Sequence, residues 1–132
     1  MKRTRLLIVE EHSAVRTALA RRLGASAAIE VVAAVAELAE AEAAVVAGTV
    51  DKIVVGVSRA CGSGLEALKH AVARLYARGV VVVVLASYAD DVEREELAAA
   101  GASHYLLKQL GSDELIAEIL GAVTDGAIIS AL

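Results

Sequence analysis

The chain has 132 residues, enough for one folded unit, and its 58% apolar against 23% charged content excludes a disordered segment. Thirteen basic and seventeen acidic residues give a net charge of −4, with Lys and Arg scattered along the chain, which speaks against direct nucleic-acid binding by this segment. Phe, Trp and Pro are absent, Tyr76, Tyr88 and Tyr105 are the aromatics, and 29 Ala with 19 Val must build a core of small aliphatics, as Val-rich strands and Ala-rich helices do.

Short apolar runs alternate with stretches of helical periodicity, the pattern of βα units on a parallel sheet. Leu6 to Val9 reads as a first strand, followed by a helix with Ser13 as candidate N-cap, Val15, Leu19 and Leu23 on one face and Gly24 as its stop. Ile29 to Val35 is a second strand, and Glu37 to Ala47 an alanine-rich helix ending at Gly48. Ile53 to Val57 is a third strand, and a glycine-bearing loop, Ser58 to Gly64, leads into a helix carrying Leu65, Leu68, Val72 and Leu75. Val80 to Ala86, dense in β-branched residues, predicts a strand buried on both faces. Asp90, with Glu93 three residues on, predicts a capping box for a fourth helix that Gly101 ends. Tyr105 to Leu107 is a short fifth strand, and Ser112 with Asp113 and Glu114 opens a last helix.

A single cysteine, Cys61, excludes an internal disulfide framework and fits a reducing compartment. The longest unbroken apolar run, Val80 to Ala86, is far below the roughly 20 residues needed to cross a bilayer, and Glu10 and Glu11 cut short any signal-like start. These features lead us to expect a soluble, cytoplasmic domain with no membrane partner. His12, His70 and His104 lie on different elements, so no metal site and no cofactor are expected.

Open α/β sheets place their sites beyond the carboxyl ends of the strands. Those ends carry Glu10 and Glu11, then Gly56 to Ser58, then Ala86 and Ser87, then Lys108. The segments Leu6 to His12, Gly62 to Leu68 and Gly101 to Lys108, in this order and spacing, resemble the receiver domain of bacterial two-component response regulators, end to end. The resemblance implies a flavodoxin-like (CheY-like) three-layer α/β/α fold, with a five-stranded parallel sheet in the order 2-1-3-4-5. The ending, Gly126 to Leu132, resembles the stretch that joins receiver to linker in NarL/LuxR-type regulators, so residues 1–132 are expected to be a receiver domain truncated before a DNA-binding helix-turn-helix domain.

The departures from the family pattern decide the function. The family's phosphorylated Asp lies eight residues before the glycine that starts the third helix, and counting back from Gly64 reaches Gly56. The family's phosphate-contacting Thr or Ser falls on Ala86, and its lysine on Lys108. Ser87 could supply a substitute hydroxyl only through a bulge, because successive strand side chains face opposite ways. Aspartyl phosphorylation needs a carboxylate nucleophile and a cation held by oxygens, and glycine supplies neither. Asp51, the nearest acid, precedes the strand and lies at the wrong end of the sheet.

Glu10 and Glu11 are each one methylene longer than the family's usual acidic pair. We therefore expect either a direct Glu to Lys108 ion pair or three solvated loop charges. Tyr105 matches the aromatic that, by resemblance, turns inward on activation; with Ala86 in place of a hydroxyl residue it has room to do so unphosphorylated. The alternative is an edge-strand ring with its hydroxyl in water. Cys61 reads as a free structural thiol, and the acidic run Asp90, Asp91, Glu93, Glu95 and Glu96 as a solvated face of helix four.

These readings lead us to expect a non-enzymatic, phosphorylation-independent receiver that works through a protein partner or homodimer contacts on helices four and five, with DNA reached only through a following domain. The rival is a pseudo-receiver that binds a small molecule in the vacated pocket. A flavodoxin-like enzyme is disfavoured, since Glu10 and Glu11 would repel a phosphate at the loop after the first strand.

Overall fold

In a computed structural model of the chain, which describes residues 2–48, 50–58 and 63–123, strands and helices alternate throughout. The elements are β1 (Thr4–Val9), α1 (Ser13–Gly24), β2 (Ile29–Val35), α2 (Leu38–Val46), β3 (Lys52–Val57), α3 (Ser63–Ala77), β4 (Val81–Ala86), α4 (Asp91–Ala100), β5 (His104–Leu107) and α5 (Ser112–Gly121). The strands pair in parallel in the order β2-β1-β3-β4-β5, the flavodoxin-like arrangement expected. Cys61 and the segment Gly126 to Leu132 lie outside the described residues.

Alternation along the strands divides the apolar residues between two cores. Leu7, Val9, Val55, Val57, Val82, Val84, Ala86 and Tyr105 face one way and pack with α2, α3 and α4. Leu6, Ile8, Val54, Val83, Leu85 and Leu106 face the other and pack with Leu19 and Leu23 of α1 and Leu115 and Ile119 of α5. All six residues of β4 are buried, as its unbroken apolar run predicted.

Local differences from the sequence reading have identifiable causes. β1 starts at Thr4 because polar residues there are already tied: the Thr4 N–H donates to the Ala28 carbonyl, and Arg5 donates its backbone N–H and two guanidinium N–H groups to Asp51 at 2.9–3.2 Å. Asp51 is thereby committed to the amino end of the sheet. Ser13 is not the N-cap of α1. His12 holds that position in an extended conformation, because its N–H is taken by the Glu10 side chain, and Ser13 is the first helical residue. At α4 one half of the expected capping box is present, Asp90 Oδ1 accepting from the Glu93 N–H at 2.9 Å, while the Glu93 carboxylate bonds the Tyr105 hydroxyl instead.

The end of α5 is tied to the sheet by a lysine. Lys52, at the start of β3, donates from Nζ to the carbonyls of Ile119, Leu120 and Ala122 at 2.8–3.0 Å, capping the carbonyl end of the helix, where the Ile119 carbonyl also accepts the Ala122 N–H. Burial pushes this ammonium's pKa down, with nearby Asp51 opposing. Beside it the Ser103 hydroxyl donates to the Val123 carbonyl at 2.6 Å.

Gly101 closes α4 at φ 124°, where an added Cβ would lie 2.6 Å from Cβ and Cγ of Tyr76 on α3. Both the backbone conformation and the ring require glycine there. Gly101→Ala should therefore lower stability by roughly 1–3 kcal/mol, read as a shifted urea midpoint, and Tyr76→Ala should relieve part of that cost by removing the ring.

Candidate functional site at the carboxyl edge of the sheet

Glu10 follows β1 directly, and its side chain is 1% exposed although its neighbour Glu11 is exposed. The carboxylate turns back over the sheet. Oε1 accepts from Lys108 Nζ at 3.0 Å, while Oε2 accepts the His12 N–H at 3.1 Å and lies 3.1 Å from His12 Nδ1. Arg16 donates to the Glu10 carbonyl at 2.8 Å, fixing the backbone that carries the acid. Of the two outcomes left open for these charges, the ion pair forms, and it forms through Glu10 alone. Burial works against the Glu10 charge, but the His12 N–H, Lys108 and the His12 ring together outweigh it and hold the carboxyl below its usual range.

The space for this arrangement comes from Gly56, one residue before the end of β3. A Cβ on Gly56 would stand 2.1 Å from Glu10 Oε1 and 3.5 Å from Lys108 Cε, so the acid of one strand occupies the volume a side chain of another would fill. No real Cβ approaches an oxygen that closely. Lys108, just past β5 and 17% exposed, also reaches Ser58 Oγ at 3.5 Å, which is at the outer limit for a hydrogen bond.

Ala86, at the end of β4, is 1% exposed and packs in the same core as Tyr105. Ser87 enters the site through its backbone: its N–H donates to the Val57 carbonyl, and its carbonyl accepts from Gln109. Among the described residues no hydrogen bond joins the Ser87 hydroxyl to Lys108. Tyr105 is 3% exposed, so the ring does not sit in water at the sheet edge. Its hydroxyl donates to the buried carboxylate of Glu93 on α4 and lies 3.2 Å from the Tyr88 carbonyl. Burial, reinforced by the Glu93 hydrogen bond, pushes the Tyr105 pKa well above its ordinary value.

Glu93 corrects the sequence reading, which put it on a solvated acidic face. It is 6% exposed, on the same side of α4 as fully buried Leu97 four residues on. That spacing was the available signal, and the surrounding run of acids concealed it. His12, as a carboxylate partner, and Ser58 were likewise not assigned these contacts from sequence.

Residues 6–120 match the family described as the response regulator receiver domain. The chain belongs to that family. Over 111 residues this receiver domain is 32% identical to the DNA-binding transcriptional activator DevR/DosR of Mycobacterium tuberculosis, an alignment that covers 84% of the chain and 50% of that protein. It thus spans about half the length of that curated relative. Its fold is similar to the signal receiver domain of NarL from M. tuberculosis, with TM-score 0.78 at 19% identity over 91% of this chain and 95% of that one. Similar too is RcsB from Salmonella typhimurium, with TM-score 0.77 at 16% identity over 98% of this chain and 62% of that one.

Receiver domains that take a phosphoryl group do so with Mg²⁺ held by acidic side chains, but the residues here do not fit that ion. Gly56 offers no side-chain oxygen, both Glu10 oxygens are committed to Lys108 and His12, and among the described residues no group of three or more His, Cys, Asp or Glu is placed to hold a metal.

Two outcomes follow for this receiver domain. Because the Glu10 pKa is lower folded than unfolded, its stabilisation is complete above the ordinary value of 4.5 and is lost as pH falls through the folded value. Urea midpoints measured across acid pH should therefore fall less steeply for Glu10→Gln than for the parent. Gly56→Ala should cost roughly 1–3 kcal/mol by displacing the carboxylate, and most of that cost should vanish in a Glu10→Ala background, a strongly non-additive pair in urea unfolding.

Proposed function

We propose that this domain is an atypical receiver that works without phosphorylation, as an interaction module controlling transcription through an attached DNA-binding domain. The single observation that carries the reading is the Glu10 carboxylate lying over Gly56 and bonded to Lys108. At the position that the family pattern gives to the acceptor Asp there is no nucleophile, and the space a side chain would use is filled by an acid already paired with the family's lysine. At the position of the phosphate-sensing hydroxyl stands Ala86, a methyl group that can neither donate to an oxyanion nor hold one. A reading as an enzyme lacks any activated nucleophile among these residues.

The transcriptional part of the reading is supported by the 32% identity to DevR/DosR, a DNA-binding transcriptional activator of which this chain spans half. The DNA-binding unit would follow the receiver, and contacts to a partner or a second copy would use α4 and α5. On that side Tyr88 and Val92 are exposed at 74% and 63%, with Asp91 and Glu95 also in solvent. Among the described residues no helix is long and apolar enough to cross a membrane, in keeping with work in the cytoplasm.

A second reading, a sensor of a small molecule, is favoured by one feature. A groove of about 240 Å³ runs beside Gly56, with Val9, Val55 and Leu68 as apolar lining and Glu11, Glu37 and Ser58 as polar lining. Glu10 fills the space directly above Gly56, so a ligand would use this neighbouring groove rather than the phosphoryl position itself. Calorimetric titration with candidate metabolites separates the readings: saturable heat that Glu11→Ala or Leu68→Trp abolishes supports the sensor.

The leading reading is tested by incubation with acetyl phosphate and Mg²⁺ followed by intact-mass measurement. The mass should stay unchanged at acid and neutral quench, and a stoichiometric gain of one phosphoryl group would overturn it.

A further inference from the structure

On the other side of β5 from the Glu10–Lys108 pair lies a second buried polar contact that the reading above does not use. Tyr105 projects from β5 into the core shared with α3 and α4, the cluster that also holds Ala86 and Leu97. Its hydroxyl is bonded to Glu93, and Glu93 stands in the first turn of α4 with its own N–H fixed by the Asp90 cap. The same hydroxyl meets the carbonyl of Tyr88, in the segment between β4 and α4. One ring thus holds both the approach to α4 and its first turn.

Two features make this contact more than packing. A carboxylate that is 6% exposed on a ten-residue helix otherwise rich in solvated acids is costly unless a donor meets it, and Tyr105 is such a donor. The ring also shares its buried cluster with Ala86, whose methyl group is small and carries no hydroxyl to compete for Glu93. We propose that Glu93 is a positioning residue, a latch whose carboxylate keeps Tyr105 inward and thereby holds the start of α4 in one arrangement that needs no phosphoryl group. That it replaces a phosphate-driven step rests on the proposed function; the latch itself rests only on the contact between β5 and α4.

Breaking the latch should loosen the segment from Tyr88 through the first turns of α4 and leave the Glu10 side of the site intact. Tyr105, buried against Glu93, should resist nitration by tetranitromethane, a reagent that attacks accessible phenolates, while exposed Tyr76 and Tyr88 should react. The test uses the whole chain, with nitration mapped by peptide mass and amide hydrogen exchange followed across residues 88–100.

Glu93→Ala should raise Tyr105 nitration at least fivefold and speed exchange across 91–95 by a similar factor. Glu93→Gln, which keeps an acceptor oxygen, should restore much of the protection, a rescue that side-chain bulk alone would give to Glu93→Met as well. Tyr105→Phe should loosen the same amides, and adding Glu93→Ala to it should loosen them no further. Equal protection in Glu93→Met and Glu93→Gln, unchanged exchange in Glu93→Ala, or additive effects of the two substitutions would overturn the proposal. None of these readouts involves a phosphoryl donor, so the latch and the acetyl phosphate experiment can fail separately.

Discussion

The carboxyl edge of the sheet is organised by one buried charge pair, Glu10 with Lys108, spanning from the end of β1 to the end of β5 across the ends of β3 and β4. Its components constrain one another. A carboxylate at 1% exposure needs its lone pairs met, and three donors do so: the Lys108 ammonium, the His12 backbone N–H and, in the appropriate tautomer, the His12 ring. Gly56 permits the geometry, because any side chain there would collide with the acid. Breaking such a pair by removing one partner typically costs ~3–5 kcal/mol, whereas exposed pairs such as Arg94 with Asp91 are worth ~1 kcal/mol or less. The pair therefore sets which conformations this edge can adopt.

An ordinary receiver switches by moving between two arrangements of similar energy, biased by a modification. Here the components that would be biased are already engaged. Lys108 has a permanent countercharge inside the protein, and Tyr105 has a buried acceptor in Glu93. Both anchors sit on the short edge strand β5 or immediately after it, one reaching back over the sheet and the other into the α4 layer. On the function proposed above, an input to such a domain would act by changing what it contacts rather than by changing charge at Gly56.

The order of elements was legible from the alternation of Val-rich runs with Ala-rich periodic stretches, because strands buried on both faces and helices buried on one leave different patterns. The candidate site was read in a different way, by counting along the family's spacing to Gly56, Ala86 and Lys108; of these the structure brings Gly56 and Lys108 together around Glu10. What sequence could not settle was direction. Glu10 and Glu11 are identical in type, and it is Glu10 that the structure draws inward, onto Lys108 and the His12 N–H. Glu93 looked like one acid among five, and its burial follows from tertiary contact with Tyr105, a residue twelve positions away on another element. Ser13 has strong capping propensity, yet His12, its N–H bonded to the Glu10 side chain, holds the N-cap position and the helix starts one residue earlier than expected.

The lysine at the base of β3 has its own mechanical consequence. With three carbonyls at the end of α5 gathered on one ammonium, and a fourth on Ser103, the last turn of that helix is riveted to the middle strand rather than left to fray. A displacement imposed at Val123 would therefore be felt at Lys52 and Ser103, because freeing the end of α5 from the sheet means breaking these four hydrogen bonds together.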